Sequence, residues 1–207
     1  MTKYAMVVDT ARCVSCNRCA MACMVENNLP VGVLYNRGMT EGGDYFRVPG
    51  GEYPDGLSMR FYTLSCQHCD MPACFAVCPT GATEKRDDGI VTVDGEKCIG
   101  CESCIAACPY EGVRTLIEGE PQYHLDFATG DADAPTHRGN TVEKCNFCAQ
   151  RIDRGETPIC ADVCFAHARF FGDLDDPESE VSKLLLEREY DLLLSDQGTG
   201  PNVYYLK

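Results

Sequence analysis

The chain has 207 residues, 44% of them hydrophobic, and a formal net charge of −14. Its 18 lysines and arginines are scattered, which excludes a nucleic-acid backbone as partner, because phosphate contacts need clustered cations. No stretch reaches the roughly 18 apolar residues that span a bilayer, and Met1-Thr2-Lys3-Tyr4 does not open a basic-then-apolar leader, so the chain by itself is expected to be soluble.

In chain order, the apolar run Tyr4 to Asp9 predicts a strand, and Thr10-Ala11-Arg12 leads into a first cysteine group: Cys13, Cys16, Cys19 and Cys23. A short helix is expected over Cys19 to Glu26. Residues 24–65 are punctuated by Gly42-Gly43 and Pro49-Gly50-Gly51 and are read as a loop insertion. The second group, Cys66, Cys69, Cys74 and Cys78, ends in Cys78-Pro79-Thr80-Gly81-Ala82. After the Asp88-Gly89 turn, Gly89-Ile90-Val91-Thr92-Val93-Asp94 alternates β-branched residues as a strand does. The third group, Cys98, Cys101, Cys104 and Cys108, closes on Pro109, with a short helix expected over Ser103 to Cys108.

Residues 109–144, with Gly119, Gly130 and Gly139, are read as a second loop insertion. The fourth group is Cys145, Cys148, Cys160 and Cys164. In the tail, Asp176-Pro177-Glu178 supplies cap, first-turn proline and first-turn acid to an amphipathic helix carrying Val181, Leu184 and Leu185. Gly200 to Leu206 reads as a final extended segment.

Sixteen cysteines, beside 19 glycines and no tryptophan, predict an interior filled by more than side chains. All four groups end in CxxxC, so the sequence is an internal repeat. A CxxCxxC triplet on a tight loop lets three thiolates wrap one [4Fe–4S] cube, while the fourth cysteine ligates another cube. The proline after that cysteine turns the chain away. Groups two and three therefore form a two-cluster ferredoxin unit with crossed ligation: Cys66, Cys69, Cys74 and Cys108 on one cube, Cys78, Cys98, Cys101 and Cys104 on the other. The same exchange between the outer groups assigns Cys13, Cys16, Cys19 and Cys164 to one cube and Cys23, Cys145, Cys148 and Cys160 to another. Group one has Met24 in place of proline; group four stretches its middle gap and has Phe165 after its last cysteine.

The fold class expected is α+β, with two ferredoxin-like 2[4Fe–4S] units, one nested inside the other, and long loop insertions. Residues 1–65 plus 109–207 form the outer unit, with insertions and the C-terminal helix and tail; residues 66–108 form the inner one. The minor alternative is a structural zinc module, since zinc takes four thiolates; the third cysteine of a triplet would have no duty there. Disulfides rank below zinc, since cysteines three residues apart on tight loops seldom present good pairing geometry.

Other residues attract notice. His68 and His167 lie beside cysteines and are read as supporting or surface groups, not ligands. His124 and His137 are read as solvated or partner-facing. Arg12, Lys97 and Lys144 each precede the first cysteine of a group and are read as charge balance for an anionic cluster. Tyr110, Phe147, Phe165 and Phe171 are read as solvent shields. No Ser–His–Asp arrangement, phosphate loop or acid pair asks to be an active site, so catalytic residues are none.

The four-group order, CxxCxxxxCxxxCP over Cys66–Cys78, CxxCxxCxxxCP over Cys98–Cys108 and the late CxxC(x11)CxxxC resemble the iron–sulfur subunits of the dimethyl-sulfoxide-reductase family. So do Glu143-Lys144-Cys145-Asn146-Phe147-Cys148, the run Ala168 to Pro177, and Pro201-Asn202-Val203-Tyr204-Tyr205-Leu206. These stretches look like those of the polysulfide, tetrathionate and arsenate reductase subunits and their relatives. The resemblance implies a separate catalytic subunit carrying a molybdenum or tungsten pterin, with this chain relaying electrons between it and a quinone-linked membrane subunit or a soluble donor. It also implies that the Cys13-triplet cluster lies nearest the catalytic subunit and the Cys98-triplet cluster farthest from it. Where nitrate reductase relatives have a tryptophan in the third group, Cys101 and Cys104 are both present, so four cubes are expected.

The rival is a free polyferredoxin carrier, against which the two insertions argue as docking surfaces. By co-export with its partner, the extracytoplasmic face of a bacterial membrane is the favoured location, the cytoplasm the next.

Overall fold

The computed structural model describes residues 2–40 and 49–207. The strand expected at the start forms as β1, Tyr4–Asp9, followed by helix α1, Arg18–Glu26. Next come β2, Asn36–Thr40, β3, Phe61–Ser65, the short helix α2, Ala73–Ala76, and β4, Thr83–Lys85. β5, Val91–Val93, α3, Ser103–Ala106, β6, Arg114–Leu116, and β7, Val142–Lys144, follow. Short helices α4, Ala149–Ile152, and α5, Ile159–Asp162, precede β8, Arg169–Asp173. Helix α6, Glu180–Glu187, leads to β9, Tyr190–Asp191, and β10, Val203–Leu206.

β1 lies inside a four-stranded sheet ordered β8-β1-β10-β9. It runs antiparallel to β8, with Met6 opposite Phe171, and parallel to β10, with Met6 opposite Val203. Ala5 to Asp9 are all buried, which explains the unbroken apolar run, since a strand covered on both faces has no solvent side to mark with polar residues. Alternate side chains then serve two cores. Val7 packs with Val181 of α6 and Leu206, whereas Met6 and Val8 face a cluster containing Cys19, Cys23, Cys145 and Cys160.

The remaining strands pair as three antiparallel ladders, β2 with β3, β4 with β5 and β6 with β7. Each joins the strand that leaves one cysteine group to the strand that enters the next. β1 and β8 do the same for the start of the first group and the end of the fourth.

Both insertions were expected as loops, yet they contain β2, β3, β6 and β7. The strands close the insertions at their bases, where backbone buried beside the cysteines has to find hydrogen-bond partners. Gly42 and Gly43 lie outside the described residues. The second insertion is also tied to the end of α1: Asp131 N–H donates to the Glu26 carbonyl at 2.9 Å and Thr129 Oγ1 to the Val25 carbonyl at 3.1 Å. These bonds help satisfy the last turn of the helix.

Two helix boundaries also depart from expectation. α6 is capped by Ser179, whose Oγ accepts from Ser182 N–H at 3.2 Å, because Asp176 accepts from Glu178 N–H and closes a turn one step earlier. α3 stops at Ala106; the Cys108 N–H bonds back to Ile105, three residues away. Met24, in the place of a proline, lies inside α1, which runs on to Glu26. Among the described residues, no helix is long and apolar enough to cross a membrane.

Candidate metal centres

Each cysteine group is built on the same backbone device. The residue just before the second cysteine has positive φ in all four: Ser15 at 49°, His68 at 44°, Gly100 at 67° and Phe147 at 55°. A left-handed residue costs a non-glycine side chain about 1 kcal/mol or more, and its repetition marks a constraint of the loops. It turns successive N–H groups toward one side, as an anion-binding concavity requires. Helices then carry the rest: Cys19 and Cys23 sit on α1, and Cys74, Cys104 and Cys160 on α2, α3 and α5. Cys78, Cys108 and Cys164 lie just past those short helices.

The sulfurs fall into neighbouring sets. Cys13 feels the charges of Cys19 and Cys164, and Cys19 that of Cys16; all four line one small cavity together with Arg169. Cys23 is close to Cys145, Cys148 and Cys160. Cys69 and Cys108 each lie near both Cys66 and Cys74. Cys101 neighbours Cys78, and Cys104 neighbours Cys98. Between sets, charges are felt in series: Cys19 feels Cys160, Cys145 feels Cys66 and Cys104 feels Cys74.

A zinc site holds its sulfurs about 2.3 Å from one ion. Among the described residues, no three His, Cys, Asp or Glu side chains form such a single-ion group, so these sets are of a looser kind.

Burial, then the neighbouring sulfurs, pushes the Cys145 and Cys23 thiols up. Burial likewise lifts Cys148 to about 12 and Cys69 and Cys108 to about 11. Thiols so placed need a cationic centre to stay ionised. Donors already point at them. Backbone N–H groups reach Cys145 from Phe147 and Cys98 from Val142, both at 3.4 Å, and Cys164 from Ala168 at 3.3 Å. At Cys78, slight burial is outweighed by hydrogen bonds from Thr83 and Thr80, which lower the thiol to about 7. Asn27 Nδ2 lies 3.5 Å from Cys23 Sγ and 3.9 Å from Cys148 Sγ. This donor set fits an anionic thiolate-bound iron–sulfur core.

Several expectations need correction. His137 is buried, not solvated: its Nδ1 pairs with Glu143 at 3.0 Å and its Nε2 with the Asn27 carbonyl at 2.8 Å. His124 and His167 are exposed. His68 is fully buried, accepts from Val91 N–H at 3.0 Å and stacks on Phe147 at 3.6 Å. Phe165 is 58% exposed, whereas Tyr110 and Phe147 are buried and Phe171 is half-buried.

Lys144 is buried but donates to the Val91 and Cys145 carbonyls. Lys97 pairs with Glu84 and Asp94, and Arg12 with Asp9. The cations that stand at the sulfurs are instead Arg169, whose Nη2 reaches Cys160 Sγ at 3.4 Å, and Arg114, which feels Cys74, Cys66, Cys104 and Cys108. The sequence reading missed both. Their signal is an arginine opening the strand after the last cysteine of groups three and four.

The chain matches the 4Fe-4S dicluster domain family over residues 57–120 and 132–174 and belongs to it. It is therefore an iron–sulfur protein of the electron-transfer class. A Halobacterium salinarum protein named as a candidate iron–sulfur subunit of dimethyl sulfoxide reductase is 45% identical over all of this chain and 79% of its own length. A selenate reductase subunit of Mesobacillus selenatarsenatis is 37% identical over 99% of the chain and 72% of its own. The arsenate respiratory reductase iron–sulfur subunit ArrB of a Shewanella species is 34% identical over 99% and 96%. The chain belongs with these iron–sulfur subunits of reductase complexes, which transfer electrons and are not catalytic themselves.

Proposed function

We propose that this chain holds four [4Fe–4S] clusters in a row and relays electrons through them between a catalytic subunit and a second redox partner. The ligand sets are Cys13, Cys16, Cys19 and Cys164; Cys23, Cys145, Cys148 and Cys160; Cys66, Cys69, Cys74 and Cys108; and Cys78, Cys98, Cys101 and Cys104. The observation that carries this reading is that sulfurs of successive sets share a core, Cys19, Cys23, Cys160, Cys145 and Cys66 in one cluster and Cys74, Cys104 and Cys98 in another. Pairing of β1 with β8 around everything between them supports an inner ferredoxin-like unit nested in an outer one.

Only Cys16 and Cys101 are exposed among the sixteen. They belong to the first and last sets, which suits entry and exit at the two ends of the row. The relatives named as single subunits of selenate and tetrathionate reductases support a separate catalytic subunit, and the family resemblance points to a molybdenum or tungsten pterin there. A quinone-linked membrane subunit or a soluble donor would meet the other end.

Anaerobic purification of the chain with whatever co-purifies, followed by metal and sulfide analysis, tests this. About sixteen iron per chain, with a pterin metal in a larger companion, is the expected result. About four zinc per chain would overturn the relay, and iron without a companion would point to a free carrier.

A further inference from the structure

Two buried arginines occupy equivalent places in the two halves of the cysteine repeat. Arg114 opens β6, the strand after the third group, and Arg169 opens β8, the strand after the fourth. They are 5% and 6% exposed, and neither forms an ion pair with a carboxylate among the described residues. Arg169 donates to Cys160 Sγ and to Thr63 Oγ1, while its Nε has no partner; both terminal nitrogens of Arg114 are buried, with the Cys104 thiol as their neighbour. A buried, unpaired guanidinium costs several kcal/mol, so each needs a counter-charge, and sulfur is what surrounds them. Arg169 faces Cys160 and Cys145 of one set and Cys19 of another. Arg114 faces Cys74, Cys66 and Cys108 of one set and Cys104 of another.

The middle junction is built differently. There Cys145 approaches Cys66, and the neutral His68–Phe147 stack lies alongside.

We propose that Arg169 and Arg114 are positioning residues for electron transfer, each a fixed positive charge shared by two neighbouring clusters, so that potentials along the row are set in pairs. An added electron makes a cluster more negative, and a cation in a low-dielectric interior favours that state. Because the charge lies between two clusters, it raises both together. Each transfer moves one electron from one cluster to its neighbour; the guanidinium stays protonated throughout, so no proton moves with it.

The inference rests on the four-cluster reading, and iron content separates the two. Potentials are read by redox titration with electron paramagnetic resonance on the protein purified with its companion subunits. In Arg169→Met, two of four midpoints are expected to fall together, each by at least a tenfold change in the reduction equilibrium, about 59 mV for one electron. Arg114→Met should lower the other two. Arg169→Lys and Arg114→Lys, which keep the charge, should restore most of the shift.

A change in one midpoint only, in all four or in none overturns the proposal. So does loss of iron from both Met variants with normal iron in both Lys variants, which would make the charges a matter of assembly. An unsubstituted protein with fewer than four clusters overturns the ligand assignment as well.

Discussion

Gly100 shows how much one residue of a cysteine loop carries. It holds φ +67°, and a Cβ there would lie 2.4 Å from the Asn140 carbonyl oxygen. Both the backbone and the space demand glycine. Gly100→Ala should strip one cluster, taking iron from about sixteen toward about twelve per chain. Gly32→Ala, at a positive φ but with open space around it, should leave iron unchanged, and equal iron in the two variants would sink the argument. Ser15, His68 and Phe147 adopt the equivalent left-handed conformation without being glycine, so a search for glycine finds only one loop of the four. The cysteine spacing was legible because it is local. The approach of Arg169 to Cys19 was not, because residues 150 positions apart leave no local mark.

At the scale of elements, the second insertion is fastened by His137. Its imidazole joins the Asn27 carbonyl, just past α1, to Glu143 on β7. Burial opposes protonation, but the Glu143 hydrogen bond and the Asn27 carbonyl outweigh it and hold the imidazole above its ordinary value of 6.5. The folded state thus binds its proton more tightly than the unfolded chain. The extra stability is complete below pH 6.5 and lost as pH rises through the raised folded value. Chemical denaturation should show the protein losing more stability between pH 6 and pH 8 than His137→Phe does; parallel slopes would refute the assignment.

Sequence reading placed this histidine on a solvated loop, since nothing in residues 109–144 announces that the segment folds back onto α1. The elements with strong local patterns came out as expected. β1 kept the boundaries Tyr4–Asp9, and α6 formed around Val181, Leu184 and Leu185, moved only at its cap.

Over the whole molecule, the two exposed cysteines stand among exposed apolar side chains. Val14, two residues before Cys16, and Phe165, just after Cys164 of the same set, are 55 and 58% exposed, and Ile99, two residues before Cys101, is 63% exposed. Apolar surface of this kind at both ends of a redox row suits docking, and electron transfer needs close approach. Phe165→Glu should weaken co-purification of the catalytic subunit at least tenfold, about 1.4 kcal/mol, with iron content unchanged. Ile99→Glu should leave that association intact and slow reduction by the second partner. If Phe165→Glu still retained the catalytic subunit in a pull-down, the assignment of the ends would be reversed.

The sequence by itself determined the cysteine repeat and the kind of centre such spacing can hold, because thiolate chemistry depends on ligands a few residues apart. Tertiary structure alone decided which cations stand beside the sulfurs and which cysteines reach the surface. Those depend on ladders such as β1 with β8, which join residues more than 160 positions apart, a distance over which no spacing pattern in the chain can act.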